Sequence, residues 1–492
     1  MTEKLKRPDP ALIAKRYAAE RRFRLFGVAA LVITTAFLVV LLTDIISRSI
    51  PAFTQYSAIL EVTVDPAKVD AAKPAAGDFE GLVKAAWRAQ FPPATSRADR
   101  KILNGLISNG GGDALRQKVI ADPALIGQPV TVPVMLSDDA DIYLKGQVTS
   151  VSRTTGQGPL TIRTEGDNVF VSGQGLSPGV VVLADDGALK IPAEGDTAAA
   201  EVIVAPGTAT EVAAGQWQVL SFGVPEADRK IGDRAAVWLE MMRERGSLER
   251  QFAWNLFLNG DSREAELAGI LGSIVGSLMV VFVTIVLALP IGVSAAIYLE
   301  EFAPKNRLTE LIEVNINNLA AVPSIIFGLL GLAVFLNFFG MPRSVPLVGG
   351  IVIALMSLPT IIIASRAAIR AVPPSIREAA LGVGASHQQA VFHHVLPLAM
   401  PGIMTGTILA IASAIGETAP LLLIGMVAFI VDIPKGFLDS ATVLPVQIYL
   451  WSDLPERAFE ARTAAAIVVL LVIMLMLNAL AIYLRKKFER RW

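Results

Sequence analysis

Six stretches of the chain are apolar for long enough to cross a bilayer: residues 25–46, 269–298, 319–339, 345–364, 401–424 and 463–484. Each runs for roughly 20 residues or more, which a helix needs to pass through about 30 Å of hydrocarbon. Between the first and second stretches the pattern changes for about 220 residues, the length of a domain rather than a loop. There, residues 78–90 and 97–120 read as helices, the second interrupted by Gly110-Gly111-Gly112. Alternating apolar and polar positions predict strands at 130–136, 142–151, 160–163, 169–172, 180–183, 202–205 and 217–222. Gly166-Asp167 and Asp186-Gly187 suit hairpin turns, and 226–258 reads as a charged amphipathic helix. The expected architecture is an all-α polytopic membrane domain of six helices. An α+β domain, residues 48–266, is inserted between the first helix (25–47) and a core of five (267–484).

Composition agrees: 53% of residues are hydrophobic and the mean hydropathy is +0.55, too apolar for a chain wholly in water. The formal charge of -1 gives no reason to expect nucleic acid as a partner. Its distribution is more telling. Residues 1–24 carry eight basic side chains against three acids, and the tail 485–492 carries five against one. Positive flanks mark the cytoplasmic side, so both termini are expected inside and the number of spans even. The 366–394 loop, with Arg366, Arg370 and Arg377, then falls inside. Residues 48–266 and the acidic 428–460 loop fall outside. No small-x-small cleavage pattern follows the first apolar stretch, which reads as an uncleaved anchor. There is no cysteine, and His387, His393 and His394 adjoin no carboxylate cluster, so no metal site is expected.

Two segments carry candidate chemistry. The first is Glu378-Ala379-Ala380, three residues, Gly384, eleven residues, then Leu396-Pro397, lying between two apolar stretches. The acidic turn starts a short helix, Gly384 breaks it, and Pro397 permits a new rigid element to begin. The second lies inside the fifth apolar stretch: Ser413-Ala414-Ile415-Gly416-Glu417-Thr418-Ala419-Pro420-Leu421. A carboxylate at the centre of a span costs on the order of 2.5–3.5 kcal/mol, so Glu417 is expected to face a polar path. Pro420 frees a backbone carbonyl there, and Thr405, Thr407, Ser413 and Thr418 add hydroxyls. The domain at 48–266 holds no metal, nucleophile or phosphate-cradling motif, so it reads as a structural or partner-docking module and the chain as no enzyme.

The first segment resembles the loop by which membrane subunits of binding-protein-dependent ABC importers dock on their ATPase. With Gly416-Glu417-Thr418-Ala419-Pro420-Leu421 after it, residues 269–492 resemble the PstA-type permease subunits of phosphate importers. Ala321-Val322-Pro323-Ser324-Ile325, Ser357-Leu358-Pro359, Leu444-Pro445 and Ile448-Tyr449 agree with that likeness. The resemblance implies a type I ABC importer permease fold embedded in membrane lipid. It implies pairing with a PstC-type permease, a PstB-type ATPase dimer and a periplasmic phosphate-binding protein. The ATPase would bind ATP and Mg, leaving this chain without a cofactor. Coupling would fall to Glu378, Ala379, Ala380, Gly384, Leu396 and Pro397, and the translocation path to Ser413, Gly416, Glu417 and Thr418. Two positions depart from the pattern: Ser413 stands where many relatives carry Arg, and His394 where an aliphatic residue is usual. Arg343 is then the expected cation for Glu417 within this subunit, unless the partner permease supplies one. The external domain resembles an extension found in a subset of these permeases. Two other readings remain: a permease for another oxyanion such as sulfate or molybdate, and a membrane sensor reading a ligand through the external domain.

Overall fold

The computed structural model describes residues 10–91, 96–147, 151–165, 168–174, 176–183, 187–191, 200–204 and 211–488. The hairpin turns expected at Gly166-Asp167 and Asp186-Gly187 lie wholly or partly outside the described residues, as do 1–9 of the basic lead and 489–492 of the tail.

Among the described residues, five helices are long and apolar enough to cross a bilayer: Ala14–Phe53, Leu271–Phe302, Pro346–Arg370, His387–Ile415 and Arg457–Lys487. The third expected span is different. The helix Arg307–Ala320 stops at Ala321-Val322-Pro323, and the chain turns through 101° into Ser324–Phe338. Pro323 disfavours helical backbone at Val322, and the second limb reaches only about 22 Å. A sixth span exists only if this bent pair counts as one. The fifth is also cut short, since its helix ends at Ile415 and a separate turn of helix occupies Ala419–Leu423.

Pro346–Arg370 is the central helix of the core, packed between Leu271–Ile297 and Leu396–Ile415. Small residues allow the close approach. A Cβ on Gly406 would lie 2.2 Å from Ala364 Cβ, and one on Gly350 would lie 2.4 Å from Val283 Cβ. By contrast, the first helix, Pro10–Ser49, is about 60 Å long and leaves its apolar surface exposed, as a lipid-facing helix does.

Between the first two long helices the chain folds as an α+β domain with two cores. In the first, strands Thr54–Thr63, Pro129–Met135 and Leu248–Phe252 form an antiparallel sheet with Thr54–Thr63 in the middle. Its buried face (Ala58, Leu60, Val62) meets helices Phe79–Ala89, Arg97–Gly105, Asp113–Ala121 and Asp233–Glu244. In the second, a five-stranded sheet built from residues 151–222 faces a three-stranded one. Period-two alternation serves both cores at once: Val180 and Val182 point to the first, Val181 and Leu183 to the second. Arg153 reaches from the edge strand Val151–Thr155 to buried Glu240 at 2.6 Å, where the Tyr143 hydroxyl also donates at 2.9 Å.

Two expectations here are corrected, and one strand was not foreseen. The strand expected over 142–151 is not formed by its described residues 142–147; Asp138–Leu144 is helical, with three acids in its first turn favoured by the helix dipole, and a strand begins only at Val151. The helix expected over 226–258 covers only Asp233–Glu244. It ends before Gly246, whose φ of +66° suits glycine, and the chain returns as the strand Leu248–Phe252. The strand Thr54–Thr63, to which the sequence reading assigned nothing, is the one around which the first sheet is built.

The domain meets the membrane helices at a buried knot of charge. Lys145 donates to the carbonyls of Pro51 (2.8 Å) and Thr54 and to the Asp141 carboxylate, whose other oxygen accepts from the Tyr56 amide at 2.8 Å. Arg462, in the last long helix, is buried beside them and donates to the Ala268 carbonyl. Glu266 is buried in the same place, one of its oxygens without a hydrogen-bond partner. Burial pushes its carboxyl above the ordinary range, against a hydrogen bond from Ser108.

Candidate functional site

The elbow between the fourth and fifth expected spans is built from one short helix and the start of a long one. Pro374–Gly382 carries Glu378-Ala379-Ala380; Glu378 and Ala379 are exposed, and Ala380 is buried against the core. Gly384 then turns the chain at a φ of +90°, a conformation that costs other L-residues about 1–2 kcal/mol. Ser386 caps the next helix in a reciprocal capping box with Gln389. The expectation of a new element at Leu396-Pro397 is corrected here. The helix that begins at His387 runs through to Ile415 and absorbs Pro397 across a wide π turn, Val391–Val395. That turn lies where Pro397 leaves the His393 carbonyl without its usual donor. The tip presents Leu381, Val383 and Phe392 to the exterior, with Val383 85% exposed.

The base of the elbow is clamped. Arg377 donates to Glu301 (2.6 Å), whose side chain is only 5% exposed, and also to the carbonyls of Val372 (2.8 Å) and Ile369 (3.0 Å). Arg370 bonds Glu300 at 2.9 Å, while Arg366 bridges Glu300 and Glu313 at 3.4 and 2.7 Å. His387 Nε2 lies 2.8 Å from the Glu301 carbonyl, and its ring packs edge-on against Phe302. The sequence marks these arginines as cytoplasmic-side signals, Arg366 and Arg370 too deep to serve Glu417, and leaves Glu300 and Glu301 unnoticed. The available signal was a pair of adjacent acids at the inner end of an apolar stretch, opposite three arginines.

The second segment sits where two broken spans meet. Gly416-Glu417-Thr418 forms the gap between Leu396–Ile415 and Ala419–Leu423, so Glu417 lies at a break and not within a continuous helix. The Gly416 carbonyl, which Pro420 cannot serve, lies 3.5 Å from the Thr418 hydroxyl. Across from it, Ser324–Gly331 packs directly on the short helix, and a Cβ on Gly328 would lie 2.7 Å from Pro420 Cα. Irregular backbone at membrane depth is tolerated where protein buries it or where it lines a cavity. Half-helices meeting in this way are a recurring construction for transport sites. Glu417 is half-buried, and among the described residues it forms no ion pair. The Ser413 hydroxyl turns back to the Leu409 carbonyl at 3.0 Å. Arg343 does not reach the carboxylate. Its side chain packs beside Gly425, past the far end of the short helix, and it too forms no ion pair.

Residues 288–492, which include both segments, match the family described as binding-protein-dependent transport system inner membrane component. The chain is 29% identical over 255 residues to phosphate transport system permease protein PstA 1 of Mycobacterium tuberculosis (strain CDC 1551 / Oshkosh), covering 52% of this chain and 83% of that protein. It is 32% identical over 242 residues to phosphate transport system permease protein PstA of Mycobacterium leprae (strain TN), covering 48% of this chain and 77% of that protein. The chain belongs to the PstA-type permease family. As such it is the membrane subunit of an ABC importer and not an enzyme; the ATPase of such a system is a separate subunit. Residues 11–153 match a domain of unknown function, so the first helix and much of the first core of this permease have counterparts elsewhere. A solved structure, an amino acid ABC transporter with histidines, is similar at a TM-score of 0.35 and 20% identity, covering 44% of this chain and 93% of that one.

Proposed function

We propose that this permease moves inorganic phosphate across the bacterial inner membrane, with both termini cytoplasmic and residues 48–266 on the periplasmic side. The observation that carries the substrate is its kinship with phosphate permeases over about half its length. In this reading it pairs with a PstC-type permease, receives phosphate from a periplasmic binding protein and rests on a PstB-type ATPase dimer that binds ATP and Mg. The elbow suits the coupling role: an exposed tip with Glu378, Ala379, Leu381 and Val383, on a base clamped to its own membrane core. Gly384 sets the angle of the tip, and Ala380, Leu396 and Pro397 fasten it to the helix that carries the motion inward. Glu417, Thr418, Gly416 and Ser413 line the path at the break, and Arg343 stands near its edge. A carboxylate there repels phosphate unless a cation or a proton accompanies it. Among the described residues no cation pairs with Glu417, so in this reading the PstC-type partner is the source.

Cells lacking this chain should lose phosphate uptake at low external phosphate and regain it when the chain is restored. Intact phosphate uptake with loss of sulfate or molybdate uptake would assign the other oxyanion.

A further inference from the structure

An aromatic cluster lies where the external domain meets the two helices that bracket it. Phe252 packs edge-on against Trp254, with ring centroids 4.7 Å apart, and stacks on Phe257 at 6.0 Å; Phe257 in turn stacks on Phe53 at 6.1 Å. Phe53 and Phe257 are fastened to the core behind them, but the outer members are bare. Trp254 is 63% exposed, Leu258 60%, Ile50 55% and Phe252 45%. Trp254 and Leu258 are one helical turn apart and so share a face. The Trp254 indole N–H has no partner among the described residues.

The depth of this cluster is fixed by its bonds. The Ala253 amide donates to the Phe53 carbonyl at 2.9 Å, four residues past the end of the first long helix. The Ile270 amide donates to the Leu256 carbonyl at 2.8 Å, immediately before the second long helix begins at Leu271. The cluster therefore sits just past the domain-side ends of both helices, one or two turns beyond the exposed Asp44–Arg48 pair that closes the apolar surface of the first. Exposed indole and phenyl rings at that level, with a free N–H, suit the boundary between acyl chains and phospholipid headgroups.

We propose that Ile50, Phe252, Trp254 and Leu258 form a foot that seats the external domain in the headgroup layer of the bilayer, so that the domain rests on the membrane instead of standing clear of it. The chain has no cysteine, so a single introduced one carries a unique label in it. Nitroxide is attached to W254C, to L258C and to a control, I120C, on the helix Asp113–Ala121 beside the far end of the first sheet. The full-length chain is assembled with its partner subunits in vesicles of phosphatidylethanolamine and phosphatidylglycerol. Collisions with dissolved oxygen, which concentrates in lipid, are compared with collisions with a water-soluble nickel chelate.

At 254 and 258 oxygen should collide more often than nickel, and at 120 the ratio should reverse. Nickel dominating at all three positions would show that the domain stands in water. Exclusion of both reagents at 254 and 258 would show that a protein subunit covers the foot. Either result overturns the proposal. Two labelled positions guard against a local disturbance of the Phe252–Trp254 contact by W254C, since Leu258 makes no ring contact.

Discussion

The elbow and the Glu417 break both place charge in an apolar surrounding, and they treat it in opposite ways. At the elbow, Arg366, Arg370 and Arg377 are matched by Glu300, Glu301 and Glu313 of the same chain, across 53 to 76 residues of sequence. At the break, Glu417 has no ionic partner among the described residues, although the fold brings two broken spans together beside it. The difference follows from what each part must do. An element that passes force needs a base that does not yield, and buried ion pairs are hard to pull apart once formed. A group that meets an ion in transit cannot be committed to a neighbour, because that neighbour would have to be displaced at every turnover. On the proposed function, charges satisfied within the chain would belong to the coupling element, and the carboxylate left without an ionic partner among the described residues to the path.

The largest effect is expected from breaking the clamp. Arg377→Met leaves the buried Glu301 carboxylate unmatched, a loss of about 3–5 kcal/mol, and frees the carbonyls of Ile369 and Val372. Phosphate uptake and co-purification of the ATPase should both collapse while the protein remains in the membrane. Retention of both would mean that the elbow holds its shape without this pair.

A smaller but selective loss is expected at the break. Glu417→Gln should lower uptake about tenfold, equivalent to about 1.4 kcal/mol, with assembly and ATPase binding unchanged. That split is the signature of a path residue. Ser413→Arg places a cation four residues before position 417, in the last turn of the helix that ends at Ile415, and should recover none of that loss in the Gln variant. Full uptake by Glu417→Gln would remove the carboxylate from the mechanism and end the contrast with the elbow.

The mildest change is at the tip. Around Gly384 there is open space, so an alanine meets no atom and suffers only the backbone cost of its φ of +90°, about 1–2 kcal/mol. Gly384→Ala should reduce uptake modestly, and a bulkier residue should do more only once the ATPase is docked. An equal loss for Ala and Val, measured as ATPase activity stimulated by the permease, would assign the effect to backbone angle alone.

Much of the membrane region was legible because lipid enforces a simple rule of length and apolarity, and the Glu378–Gly384 spacing is local. The breaks were not read. A window of apolar residues looks the same whether straight or bent, even though Pro323 and Gly416 stood in the right places. The clamp was invisible for a different reason: Glu301 and Arg377 become neighbours only through the packing of separate helices. In the external domain, local alternation found strands such as Trp217–Phe222. The strand Leu248–Phe252 was missed because its pairing to Thr54–Ala58 closes a loop of nearly the whole domain.

The junction between the first helix and the external domain has a mechanical consequence. Only the single turn Ile50–Phe53 separates that helix from the strand Thr54–Thr63, and the Lys145–Asp141 knot binds the turn beside Arg462 of the last helix. There is no slack in which a tilt of either helix could be lost. With the turn held at both sides, a tilt of either helix would be carried into the domain and would grow with distance from the knot. A movement made inside the bilayer is thereby made visible, and open to resistance, from outside it.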